Sequence, residues 1–243
     1  MCTVTFCPRH HGYALAMNRD ELLTRPVGRP PSEINLNGRS ILCPSEPGGG
    51  TWIAVNRDRV CFALINWYSV TARVRGATAS RGDIIRHVGV VAAPAAASEL
   101  LEKCPLHKTN PFRLIGIFPD TREIVQWQWD LKRLVRQEHR WQMQQWISSG
   151  FDEPAAQRVR RRTFRRAREQ VSAGSLDWLR RLHRSHAPAV GPFSTCMHRA
   201  DAATVSYTEV QVVAGKIAMG HLAGPPCQCP ARSLHPLSYF IRG

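Results

Sequence analysis

Cysteine at position 2 has chemistry that depends on where it sits. An initiator methionine is normally removed when the second residue is as small as cysteine. The Cys2 thiol (ordinary pKa about 8.5) would then share one residue with an α-amine (about 7.7–8.0). Such an amine can serve as general base for the nucleophile beside it. The competing reading is a small residue that follows a start codon. Asn18-Arg19-Asp20-Glu21 puts an amide, a guanidinium and two carboxylates in a row, able to aim at one point or to form a solvated turn with an ion pair. Gly48-Gly49-Gly50-Thr51-Trp52 is a flexible approach that lets backbone come close to a ligand, or a plain loop. Ala63-Leu64-Ile65-Asn66 is an apolar run ending in an amide that can donate to an oxyanion or cap a turn.

These residues need elements to hold them. Residues 3–7 and 12–17 read as two strands joined near His11 and Gly12, and 25–32 as a proline-rich connection unsuited to a helix. Thr51 to Asn56 and Val60 to Asn66 read as a hairpin turning at Arg57-Asp58, which places Asn66 at a strand end. Residues 80–91, with Ile84, Ile85 and Val88 at helical spacing, and 94–103, opening on a proline, are predicted helices. Arg113 to Phe118 and Glu123 to Trp129 are strands about a Pro119–Arg122 turn. Asp152-Glu153-Pro154 starts a helix whose stripe is Phe164, Ala167 and Val171, with the arginines as its wet face. Ser175 to Arg184 is a second helix. Ser194 to His198, Ala203 to Val213 and Lys216 to Leu222 read as strands. Strands at both ends with helices between, and no βαβ alternation, predict a single α+β domain in layers.

The chain has 243 residues, 43% hydrophobic and 21% charged, enough to bury a sizeable core and unlike a disordered chain. Its longest nearly apolar stretch, Val88 to Ala97, is too short to span a bilayer and contains Pro94. The first ten residues lack a charged region followed by an apolar run, which predicts a cytoplasmic protein. Net charge is +15, with 29 arginines against four lysines. Such charge attracts nucleic acid, anionic lipid or acidic ligands without selecting among them. The eight cysteines are scattered without the C-x-x-C spacing of a zinc site, so no metal site is predicted and reduced thiols are expected. Four of them (Cys7, Cys43, Cys104 and Cys229) precede proline, where chance gives about 0.6.

Taken in order, Met1-Cys2-Thr3, Asn18-Arg19-Asp20-Glu21 with Arg25-Pro26, Gly49-Gly50-Thr51-Trp52 and Ala63-Leu64-Ile65-Asn66 resemble the NRDE family, also called the transport and Golgi organization 2 family. The likeness continues through Ser80-Arg81-Gly82, Asn110-Pro111-Phe112, Cys196-Met197-His198 and Thr204-Val205-Ser206. It implies a four-layer αββα sandwich of antiparallel sheets, as in N-terminal-nucleophile hydrolases, and amide-bond or acyl-transfer chemistry on a small-molecule substrate. By that resemblance Cys2 is the nucleophile, its α-amine the base, Arg19 and Asp20 orient them, and Asn66 is an oxyanion donor. Asn18, Glu21, Gly50, Thr51, Trp52 and Arg81 would contact substrate. The Gly-Leu-Ser-Asn segment of many members is not recognisable here; Ser149-Gly150-Phe151-Asp152 occupies roughly that region.

The same resemblance carries a second reading, haem trafficking, which makes haem a ligand and no catalyst necessary. The Cys-Pro pairs, His183 with His186, and Cys196 near His198 are compatible with it, since thiolate and imidazole both bind haem. A third class is nucleic-acid binding: residues 158–184 hold ten arginines against Glu169 and Asp177. Neutralised phosphates would make that association strongly salt-dependent. No recognised reading module accompanies the run.

Overall fold

A computed structural model describes residues 2–76 and 78–229, and the backbone of 235–237. The described residues divide into two compact units: one is the segment up to Gly28 together with the described residues from Gln142 to the last strand, the other is Arg29–Trp141. The sequence reading took the whole as one domain.

The first unit is built on an antiparallel sheet whose strands are β1 (Cys2–Arg9), β2 (Gly12–Leu22), β10 (Gln144–Ser148), β11 (Ala202–Val213), β12 (Lys216–Ala223) and β13 (His235–Leu237), in the order β10-β1-β2-β11-β12-β13. Two helices, α3 (Glu153–Arg168) and α4 (Leu176–Arg184), cover one face of it. Phe164, Trp178, Leu179 and Leu182 from the helices pack there with Cys7, Ala14, Ala16, Tyr207 and Leu222 from the strands. Burying such side chains contributes about 1.5–3 kcal/mol each, whereas each like-charged i,i+4 arginine pair costs a few tenths. Packing therefore overrides the repulsion along the arginine-rich α3. Asp152 caps that helix, accepting from the Ala155 N–H at 2.8 Å, so the Ser149–Asp152 segment serves as a helix start.

Three expectations fail here. Val171 is fully exposed, because α3 has ended at Arg168 and the apolar spacing no longer has a helix to act on. Arg160, read as part of the wet face, is instead completely buried. Ser194 to His198 forms no strand beyond a single bridge between His198 and Ala203.

The second unit is a seven-stranded antiparallel sheet in simple sequence order: β3 (Arg29–Leu36), β4 (Arg39–Ser45), β5 (Ile53–Asn56), β6 (Cys61–Asn66), β7 (Phe112–Phe118), β8 (Glu123–Trp129) and β9 (Leu134–His139). Helices α1 (Arg81–Val88) and α2 (Pro94–Lys103) bury Ile84, Ile85, Val88, Ala97 and Leu101 against Ile41, Phe62, Leu114 and Trp127. The proline-rich stretch read as a connection enters β3 at Arg29. That strand is at the sheet edge, where proline removes no internal ladder bond, and its register with β4 shifts between Arg29 and Ser32. No helix among the described residues is long and apolar enough to cross a membrane.

Candidate functional site

Cys2 opens β1 and is nearly inaccessible, with 7% of its surface exposed. Antiparallel register puts Arg19 of β2 opposite it on one side and Ser148 of β10 on the other; Ser206 of β11 lies opposite Arg19. Directly paired residues share a sheet face. Ser148, Cys2, Arg19 and Ser206 therefore form one polar row across four strands. The buried Ser148 and Ser206 hydroxyls find no hydrogen-bond partner among the described residues. Arg19 and Ser206 also border a cavity of about 240 Å³ with Glu21, Leu22, Val27 and His221. Burial pushes the Cys2 thiol up; the positive amino terminus opposes it, Asp20 adds to the rise, and Arg19 and a hydrogen bond from the Asp20 backbone pull back, with a net upward shift. A thiol in this state is a weak nucleophile until something takes its proton.

Strand alternation separates Asn18-Arg19-Asp20-Glu21 into two pairs. Arg19 and Glu21 lie on the Cys2 face, 3.5 Å apart, and Glu21 also meets Arg25 at 3.1 Å. Burial alone would raise the Glu21 carboxyl, but the positive amino terminus, the Leu22 N–H, Arg25 and Arg19 outweigh it, and the net shift is downward. Asn18 and Asp20 point to the helix face instead. Asn18 donates to the carbonyls of His183 (2.9 Å) and Thr195 (2.8 Å), and its own oxygen meets His183 Nδ1 at 3.0 Å. Asp20 pairs with Arg160 at 3.2 Å and accepts from Thr204 Oγ1 at 2.7 Å; Arg160 also donates to Thr3 Oγ1 at 2.8 Å. Asn18 therefore ties α4 to the 194–198 segment, and Asp20 is held by α3, while its backbone reaches Cys2.

The remaining predicted site residues belong to the second unit. Asn66 ends β6 and donates to the Tyr68 hydroxyl at 2.8 Å. Gly50, Thr51, Trp52 and Arg81 owe part of their proximity to packing. A Cβ on Gly82 would sit 2.6 Å from the Thr51 nitrogen and 2.7 Å from Gly50 Cα, so the start of α1 closes onto the glycine loop only because Gly82 has no side chain. Thr51 Oγ1 donates to the Ile53 carbonyl at 3.0 Å, Trp52 is buried, and Arg81 reaches the Pro111 carbonyl at 3.4 Å.

The sequence profile of the family described as Transport and Golgi organisation 2 matches residues 1–142, more than half of the chain. The chain belongs to the transport and Golgi organisation 2 family. No curated protein matches it. Among solved structures, this family member is similar to a variant of the conjugated bile acid hydrolase from Clostridium perfringens, with a TM-score of 0.55, 10% identity, and 92% of this chain and 89% of that one covered. It is also similar to the penicillin V acylase from Agrobacterium tumefaciens, with a TM-score of 0.51, 11% identity, and 92% and 83% covered. At such identity the likeness shows the fold alone: α+β, of the N-terminal-nucleophile hydrolase type.

Several residues to which the sequence reading gave another role, or none, surround these elements. Arg160 was hidden among nine other arginines of its run, and only its 140-residue separation from Asp20 reveals it. His221, on β12, borders the cavity and bonds Thr208 Oγ1 through Nδ1 at 2.9 Å; burial and then Arg19 depress it to about 4. His183, read as a haem-compatible residue, is fully buried with both ring nitrogens engaged, to Asn18 and to Thr5 Oγ1. Of the Cys-Pro thiols, Cys7 and Cys43 are buried in strands, and burial raises them to about 12 and about 11. The Pro230 of the last pair lies outside the described residues.

Proposed function

We propose that this protein is an N-terminal-cysteine amide hydrolase or acyltransferase. Once Met1 is removed, the Cys2 α-amine takes the thiol proton, and Sγ attacks the substrate carbonyl. The tetrahedral intermediate collapses by breaking the C–N bond, and the departing amine takes the proton held by the α-ammonium. The resulting thioester is released to water or to an acceptor amine, with the α-amine again moving the proton. Arg19, opposite Cys2, is suited to hold the thiolate or an anionic group of the substrate. Asn66 is the oxyanion donor on the family resemblance.

The observation that carries this reading is the polar row around Cys2. Two buried hydroxyls without a partner among the described residues, beside a buried thiol and a guanidinium, are free to bond water or the polar groups of a substrate. The adjoining cavity of about 240 Å³ offers the Arg19 face room for a small acyl or amine portion. Intact mass before and after incubation with a reactive thioester donor tests the proposal. The expected result is loss of Met1 and a single acyl adduct, absent in Cys2→Ser. Retention of Met1, or a free Cys2 that takes no acyl group, overturns it.

A further inference from the structure

Four potential metal ligands converge in the first unit, apart from the Cys2 row. His186 follows α4, Cys196 and His198 lie in the irregular segment before β11, and Cys227 sits in a 3₁₀ turn, Pro226–Gln228, after β12. Their ligand atoms all lie within 4.8 Å of one another. His198 Nε2 is 3.2 Å from His186 Nε2, 3.3 Å from Cys227 Sγ and 3.7 Å from Cys196 Sγ. One imidazole nitrogen has one in-plane direction for a hydrogen bond, so three partners around it are not explained by hydrogen bonding.

We propose that this cluster is a structural zinc site of the Cys₂His₂ class. With Zn–N near 2.0–2.1 Å and Zn–S near 2.3 Å, a tetrahedron has edges of about 3.3 Å for N···N and about 3.6 Å for N···S. The distances around His198 match those edges within a few tenths of an ångström. Thiolate with imidazole in fourfold coordination selects zinc over hard cations such as magnesium or calcium. Haem is the wrong guest for four protein atoms this close, because its iron leaves only its two axial positions to the protein. The backbone prepares the set. Cys196 N–H bonds the Ser185 carbonyl at 3.0 Å, and His198 N–H the Gly191 carbonyl at 3.2 Å. On either side of Met197, Cys196 and His198 both bring their ligand atoms into the cluster. Four protein ligands close the shell, so the metal acts as a clasp joining the end of α4, the 194–198 segment and the chain beyond β12. That segment bonds Thr204 in both directions, at 2.8 Å and 2.9 Å, and Thr204 holds Asp20. The clasp thereby braces the strand end behind Cys2.

The test is metal analysis of the full-length chain purified under reducing conditions, followed by cobalt titration of the chelated protein. About one zinc per chain is expected, released by a thiol-specific mercurial. Cobalt should produce the intense visible bands of a tetrahedral site and sulfur-to-cobalt charge transfer. Cys227→Ser and His198→Asn should weaken zinc binding by at least about 100-fold, while Cys229→Ser leaves it intact. Chelation should lower the melting temperature, with zinc but not magnesium restoring it. Absence of zinc together with absence of a tetrahedral cobalt spectrum in the wild-type chain overturns the proposal. So does a reduced chain that binds no cobalt and, on oxidation, yields a Cys196–Cys227 disulfide. The cobalt titration decides even where a ligand variant fails to fold.

Discussion

Replacing Arg160 by methionine keeps most of the side-chain volume and removes the guanidinium that α3 sends into the unit's interior. Arg160 and Asp20 are both completely shielded from solvent, and their charged atoms lie 3.2 Å apart. At an effective dielectric of 20 that separation corresponds to an attraction of about 5 kcal/mol, most of it offset by the cost of drying both ions. Removing only the cation keeps the cost on the carboxylate and forfeits the attraction. Thr3 and the Pro192 carbonyl also lose a donor. The expected destabilisation is about 3–5 kcal/mol. For a chain of this length that lowers the melting temperature by about 6–20 °C. Thermal unfolding followed by circular dichroism measures it. Arg160→Met combined with Asp20→Asn should recover most of the loss, because an uncharged pair needs no counterion. A single variant within about 1 kcal/mol of wild type, or a double variant no better than the single, would refute this account of the buried pair.

Other outcomes follow from the same geometry. Burial, with Arg160 second, holds His183 near 3, below its unfolded value of about 6.5. Its contribution to stability is therefore complete above pH 6.5 and drains away as pH falls towards 3. The loss should reach the order of 4 kcal/mol, visible in melting temperatures across that range and flattened in His183→Gln. Gly82→Ala should cost about 1–3 kcal/mol in urea denaturation, since the new methyl meets backbone at Gly50 and Thr51, which has no rotamer to yield. Thr204→Val removes the hydroxyl shared by Asp20 and the Met197 N–H and should destabilise by about 1–3 kcal/mol, where an unchanged urea midpoint would show those bonds to be idle. Asn66→Ala should slow acylation of Cys2 by about 100–1,000-fold while stability changes little, and an unaltered acylation rate removes Asn66 from the proposed oxyanion site.

Local pattern carried the sequence reading where a signal was confined to one element. The Pro94 start of α2, the Asp152 start of α3, the alternation in β6 and the apolar runs of β7, β8, β11 and β12 are visible within a few residues of each position. The missed strands β3, β4, β9 and β10 sit amid Pro, Gly, Arg or Gln, and owe their form to pairing with neighbours. Cys2 and the Asn18–Glu21 motif were legible as candidates, but the split of that motif into two faces required β2 to extend through Leu22, beyond the end at residue 17 that apolar content suggested. Arg160 was obscured because arginine in a charged run resembles every other arginine until a buried carboxylate selects one. The cluster of His186, Cys196, His198 and Cys227 evaded the spacing rule for zinc because its members come from three separated segments, and proximity along the chain is not proximity in the fold.

The two-faced arrangement of Asn18-Arg19-Asp20-Glu21 has a consequence for interpreting genetic variants. Asn18 and Asp20 hold helices in place, so their loss should be felt as reduced abundance in the cell, whatever reaction the protein performs. Arg19 and Glu21 look onto the Cys2 side, and their substitution should leave a protein present in normal amount with altered behaviour. Four adjacent letters of one motif thus belong to two phenotypic classes, in strict alternation.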